Sequence, residues 1–116
     1  MQNSAYIPQR GDLVWLDFDP QTGREQAGRR PALVLSDKRY NARSDLAILC
    51  PITSQSKPYP FFVALPNGTL SKPSFVIADQ VGSFDWRSRN ISFIGVAPHT
   101  TLEQVSELCS GIIQGR

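Results

Sequence analysis

Histidine occurs once in these 116 residues, cysteine twice and methionine once. One histidine (His99) and two distant cysteines (Cys50, Cys109) cannot supply the ligand set of a usual zinc site. They also leave no good Ser-His-Asp or Cys-His arrangement for nucleophilic catalysis. His99 stands between Pro98 and a Thr-Thr pair that opens a helix. The helix dipole disfavours an imidazolium there, so His99 reads as a surface residue rather than a base. Cys50 and Cys109 both lie in apolar contexts and read as buried thiols, with no disulfide expected in a reducing compartment. Long apolar runs are missing, so no membrane-spanning helix of ~20 residues is expected. Residues 1–10 lack the apolar stretch of a secretory signal. P-loop, GxGxxG and His-rich metal motifs are absent, as are repeats and low-complexity tracts. The expectation is one domain over residues 1–116, cytoplasmic and soluble, with no membrane partner.

What is present suits a small, turn-rich β protein. Hydrophobic residues make up 41% and charged residues 19% of the chain, a balance that excludes a disordered chain. Eight glycines and nine prolines favour short strands over long helices. The net charge of +2 is mild, but it is unevenly placed. Residues 24–43 hold six basic and two acidic side chains, +4 in all, which leaves −2 for the rest. A basic face on a near-neutral body attracts phosphate, although the same arginines also suit a solvated loop.

Strands are expected over residues 12–18, 31–36, 46–53, 61–65, 74–81 and 91–96, with 84–87 as a short extension. In the first, Leu13, Trp15 and Asp17 alternate with Val14, Leu16 and Phe18. Pro51 places the third strand at an edge or a bend. Residues 20–30 read as a long loop, and residues 37–44 allow one helical turn. At the C-terminus the period changes: Leu102, Val105, Leu108, Cys109, Ile112 and Ile113 form one helical face. Thr100 with Glu103, or Thr101 with Gln104, fits a capping box, and Gly115 a stop. Several strands followed by one helix give an α+β, mostly β fold: a strongly bent antiparallel sheet or small barrel with a C-terminal helix.

Three polar groups sit at strand ends. The first is the loop Gly23-Arg24-Glu25-Gln26-Ala27-Gly28-Arg29-Arg30, where glycines allow close approach and guanidinium forks match a phosphate. The second is Thr53-Ser54-Gln55-Ser56-Lys57. The third is Asp79-Gln80. If these ends converge, they bring together a base, cations and several hydrogen-bond donors. Trp86 with Arg87 and Arg89 offers stacking plus charge for single-stranded nucleic acid, although Trp86 fits core packing better.

The ordered strings Arg10-Gly11-Asp12-Leu13-Val14-Trp15-Leu16-Asp17-Phe18-Asp19-Pro20, Glu25-Gln26-Ala27-Gly28 and Arg30-Pro31-Ala32-Leu33-Val34-Leu35-Ser36 resemble the MazF/PemK toxin family. The resemblance continues through Pro51-Ile52-Thr53-Ser54-Gln55-Ser56-Lys57, Ala78-Asp79-Gln80-Val81 and Trp86-Arg87-Ser88-Arg89. It implies an SH3-like barrel and metal-independent, sequence-specific cleavage of single-stranded RNA, with no cofactor. It implies a homodimer, neutralised by an antitoxin whose flexible acidic tail covers the RNA site, with DNA contacted only through that complex. The family's catalytic arginine falls on Arg30, its threonine on Thr53 and its loop glutamate on Glu25. RNA contacts fall near Phe18, Lys57 and Gln80, and the basic reading adds Arg29 and Arg87. In some relatives the aspartate matching Asp79 is the base, so the base is Glu25 or Asp79. Arg29 stands where many relatives have histidine, Ser54 where many have a second threonine, and residues 65–75 match less closely. The alternative is a toxin or binding module of the same barrel that acts on a protein such as DNA gyrase.

Overall fold

The computed structural model describes residues 5–18 and 28–116; Arg24 and Glu25, and most of the loop expected over residues 20–30, lie outside them. Seven strands and two helices follow in order among the described residues: β1 (Asp12–Phe18), β2 (Gly28–Val34), α1 (Lys38–Ser44), β3 (Leu46–Thr53), β4 (Phe62–Ala64), β5 (Phe75–Ile77), β6 (Gly82–Asp85), β7 (Ser92–Val96) and α2 (His99–Gln114). All strand pairs are antiparallel. The sheet order is β4-β5-β3-β2-β1-β7, with β6 also on β3. The terminal strands β4 and β7 do not pair, so the sheet is strongly bent and open rather than a closed barrel. No helix among the described residues is long and apolar enough to cross a membrane.

The alternation in β1 serves two cores. Leu13 faces a cluster with Leu33, Cys50, Ile52, Val76, Leu102, Val105 and Cys109, which seats α2 on the sheet. Val14, Leu16 and Phe18 face the opposite cluster, with Val34, Leu49 and Trp86. Both sheet faces are therefore covered, and β3 reads as a nearly continuous apolar run for that reason. Full burial of Val105 contributes about 1.5–3 kcal/mol to docking α2.

Pro51 marks a bend, but β3 is central, not an edge. The Leu35 amide donates to the Ile48 carbonyl, so Ile48 and Cys50 direct their backbone groups at β2. Pro51 then faces the other side, where the partner changes from β6 (Leu46–Leu49) to β5 (Ile52–Thr53). The missing N–H falls where no ladder bond is required.

Other boundaries differ from expectation. β2 starts at Gly28, because residues 28–30 pair with β1. The expected strand 74–81 stops at Ile77 and gives way to a 3-10 turn over Ala78–Gln80. The expected extension at 84–87 becomes β6 and a second 3-10 turn, Trp86–Ser88. Residues 38–44 form two turns of helix rather than one, with Asp37 as the cap. Helix α2 begins at His99, with Pro98 as N-cap and no side-chain cap bond. Neither threonine caps it, since both already lie in the first turn, and Thr101 is buried. Gly115 ends it at φ 75°, a left-handed conformation that glycine adopts without strain.

Asn41 is the polar linchpin of the second core. It is fully buried; its Nδ2 donates to the Pro8 carbonyl (2.8 Å) and its Oδ1 accepts from Ser36 Oγ (2.6 Å). The Trp86 indole N–H donates to the Asn41 carbonyl (3.1 Å). Replacing Asn41 by Ala strands the Pro8 carbonyl and the Ser36 hydroxyl, while the Trp86 bond to the backbone carbonyl survives, and we expect a loss of roughly 2–3 kcal/mol in urea unfolding. A loss below about 1 kcal/mol would show that water satisfies them instead.

The Asp37 cap generates a pH expectation. The Arg39 backbone N–H, then its guanidinium, hold the Asp37 carboxyl below its usual range. That contribution is present above the unfolded pKa and is lost as pH falls through the folded value. Between about pH 5 and pH 2, the thermal midpoint of Asp37→Asn should therefore fall less than that of the parent. Parallel curves would assign the cap no role.

Candidate nucleic-acid interface

Register decides which side chains share a face. Leu16 lies opposite Arg30, and Asp17 opposite Arg29, so the two adjacent arginines point to opposite sides of β2. Ala32 lies opposite Pro51, the last pair between β2 and β3, and Arg30 and Thr53 each lie two residues beyond it, on the same faces as Ala32 and Pro51. Thr53 in turn pairs with Phe75 of β5. Arg30, Thr53 and Phe75 thus occupy one face at the end of the sheet where β3 leaves its central position.

Thr53 lines an open groove of about 410 Å³ with Gln55, Lys57, Tyr59, Phe62, Ile77 and Gln80. Thr53 is buried, and its Oγ1 accepts from the Gln55 N–H at 3.1 Å. That bond turns the chain sharply out of β3 and carries Lys57 over the groove. Lys57 Nζ stands 5.5 Å from the centre of the Tyr59 ring and 5.8 Å from that of Phe62. Gln80 arrives from the 3-10 turn, and next to it Asp79 is exposed and accepts the hydroxyl proton of Tyr59. A neighbouring groove of about 550 Å³ is bordered by Arg29, Arg30, Trp15, Ser54 and Lys72. Half-buried Arg30 lies between the two grooves, on Thr53's face by register and on the border of the second cleft.

Behind the turn, the Ala78 carbonyl accepts from both thiols, Cys109 Sγ at 3.3 Å and Cys50 Sγ at 3.8 Å. The two sulfurs lie 3.9 Å apart, buried and unbonded, as their apolar contexts suggested. The contact with Cys109, then burial, pushes the Cys50 thiol up. A thiol held protonated donates to a carbonyl and does not act as a nucleophile.

Thus Thr53, Lys57 and Gln80 come together, with Asp79 at the rim and Arg30 on the border of the neighbouring cleft. Three other expected contacts lie elsewhere. Phe18 is 5% exposed and packs edge-on to Phe84 at 5.1 Å, in the second core. Its place in β1 makes it core rather than an RNA platform. Arg87 stacks on Trp86 at 4.3 Å and pairs with Asp45, which commits its cation to α1's end. Trp86 is core, 2% exposed. Arg29 donates to Asp17 (3.0 Å), the Asn90 carbonyl (2.7 Å) and Ser92 (3.1 Å), which tie β2 to the chain around β7. Glu25 lies outside the described residues. His99 is an exposed residue of α2, 3.9 Å from Glu103.

Sequence reading did not single out Tyr59 or Phe62, although it named Gln55 within the polar group 53–57. The signal was available: Lys57-Pro58-Tyr59-Pro60-Phe61-Phe62 interleaves a cation with aromatics, as single-stranded nucleic-acid sites do.

Comparison with known proteins identifies the family. The family model described as "PemK-like, MazF-like toxin of type II toxin-antitoxin system" matches residues 9–110. The chain is 48% identical over 96 residues to the endoribonuclease toxin MazF of Escherichia coli K12, which covers 82% of this chain and 85% of that protein. It is similar to the crystal structure of MazF from Deinococcus radiodurans, with TM-score 0.87 and 46% identity over 96% of this chain and 99% of that one. A MazE–MazF crystal structure from the same organism gives TM-score 0.82 at 46% identity, over 95% and 97% of the two chains. Matched over most of its length by the family model and by a relative at 48% identity, the chain belongs to the PemK-like, MazF-like toxin family of type II toxin–antitoxin systems.

Proposed function

We propose that this endoribonuclease toxin cuts single-stranded RNA at specific sequences, without a metal, at the Arg30–Thr53 face. The observation that supports this reading is the groove that gathers Thr53, Lys57 and Gln80, with Arg30 on the border of the adjoining cleft. RNA supplies its own nucleophile, the 2′-OH. The protein has only to take that proton, neutralise the phosphorane and protonate the leaving 5′-oxygen, which leaves a 2′,3′-cyclic phosphate and a 5′-OH. The Arg30 guanidinium can span two phosphoryl oxygens. The phosphorane carries more negative charge than the diester, so Arg30 favours the transition state over bound substrate. The Thr53 hydroxyl donates to a non-bridging oxygen, and Lys57 holds an adjacent phosphate. Asp79, at the groove rim, and Glu25 are the carboxylates for the base.

The partners follow from the same reading. The RNA strand competes for this face with a cognate antitoxin whose acidic tail matches the Arg30–Lys57 cations, and DNA is met only through that complex. Two chains pair: Phe93 and Val96 of β7, the strand at one end of the sheet, are 51% and 67% exposed across from Val14 and Asp12, apolar side chains suited to a second copy. The setting is the cytoplasm, where the RNA is.

Single-turnover cleavage of a short RNA in EDTA tests the chemistry. Arg30→Ala should lose ~10²–10³ in rate and keep its circular dichroism. Arg29→Ala, which cuts the ties to Asp17 and Ser92, should keep most of its cleavage and unfold at lower temperature. A folded Arg30→Ala as fast as the parent would remove Arg30 from the site. Intact RNA beside inhibited DNA gyrase would favour a protein target instead.

Sedimentation at micromolar concentration should give about twice the chain mass of 12.9 kDa. A monomer under those conditions rules out the pairing.

A further inference from the structure

The aromatic corner of the groove is not used by the cleavage chemistry. Tyr59 lies edge-on to Phe61 at 5.7 Å and to Phe62 at 5.1 Å, and Phe62 stacks on Phe75 at 5.7 Å and 23°. All four rings remain partly exposed. Rings assembled only to stabilise the fold would be driven out of water, as the rings of Phe18 and Trp86 are. Here Tyr59 and Phe62 line a groove that also holds a cation and a catalytic candidate, with Phe61 and Phe75 packed against them.

We propose that Tyr59 and Phe62 form the stacking platform for one unpaired nucleobase beside the scissile phosphate, with Lys57 holding that nucleotide's phosphate and Asp79 fixing Tyr59. This rests on the RNA-cleavage reading and adds a specificity subsite to it. Every base has a π-face, so aromatic stacking grips a single strand without requiring a partner strand. Lys57 Nζ lies within cation–π range of both rings, which holds the ammonium where a phosphate flanking the stacked base would pass. The Tyr59 hydroxyl donates to Asp79, so the ring is oriented before RNA arrives and less freedom is lost on binding. The loop carrying Lys57 and the 3-10 turn carrying Asp79 are thereby joined across the groove.

The test is a cycle between protein and RNA changes. A strand made uncleavable by a 2′-deoxy sugar at the scissile position carries one abasic nucleotide at each neighbouring position in turn. The parent should lose roughly tenfold in affinity at one such position, the magnitude of one stacked base. Tyr59→Leu should lose about as much on the intact strand and nothing further at that position. Tyr59→Phe keeps the ring and should retain sensitivity to the abasic position. Phe62→Leu should reproduce the Tyr59→Leu pattern, so it decides the matter if Tyr59→Leu fails to fold. Losses that multiply independently, or no sensitive abasic position, overturn the platform. The two readings fail separately: an Arg30→Ala that cleaves normally sinks the cleavage site, whereas a dead Arg30→Ala with no Tyr59–base coupling sinks only the platform.

Discussion

Antiparallel register across β1, β2 and β3 is the constraint on which the rest depends. A slip of one residue would turn every side chain of a strand to the other face. β1 and β3 each feed two cores, so a slip would exchange one apolar set for another and misfit both. Close packing on both faces therefore holds the register firmly. The same register separates Arg30 from Arg29. It gives one guanidinium to the face of Thr53 and ties the other to Asp17, Asn90 and Ser92. The division of labour between two identical neighbours follows from strand geometry, not from their chemistry.

The site stands where that rigid ladder ends. β3 changes partners at Pro51, and two residues later the chain turns out at Thr53, with its hydroxyl bonded to the Gln55 amide. The 3-10 turn at Ala78–Gln80 meets this turn from the other side, anchored through Ala78: its N–H donates to the Phe61 carbonyl and its carbonyl accepts from two buried thiols. Polar groups on loops are thus held by backbone bonds to the core, which limits the freedom they would lose on gripping RNA. Helix α2 takes part through Cys109, so the C-terminal element supports the groove from behind.

Much of the fold was legible because its signals are local and periodic. The alternation in residues 12–18, the apolar run 46–53 and the stripe from Leu102 to Ile113 needed no partner to be read, and Gly115 ended α2 as expected. The shorter elements were not legible in the same way. Residues 78–80 follow an apolar run that looks like continuing strand. They turn because Ala78 is claimed by Phe61 and the thiols of β3 and α2, contacts made far away in sequence. The capping box at Thr100 and Thr101 was a sound local pattern that lost to Pro98 and to burial of Thr101.

The sequence by itself determined the class of this protein: its strand-then-helix order, its basic segment, and the strings that place it among the toxins, with Arg30 and Thr53 in their family positions. Order and composition are statements of residue identity and spacing, which chain order preserves; the roles of Arg30 and Thr53 stay a proposal. Only the tertiary structure decided that Phe18 is core, that Arg87 and Arg29 are held by ion pairs and carbonyls, and that Tyr59 and Phe62 share a groove with Thr53 and Gln80. A side chain's surroundings are set by which strands pair and which way each pleat points. That information lies in contacts between residues tens of positions apart.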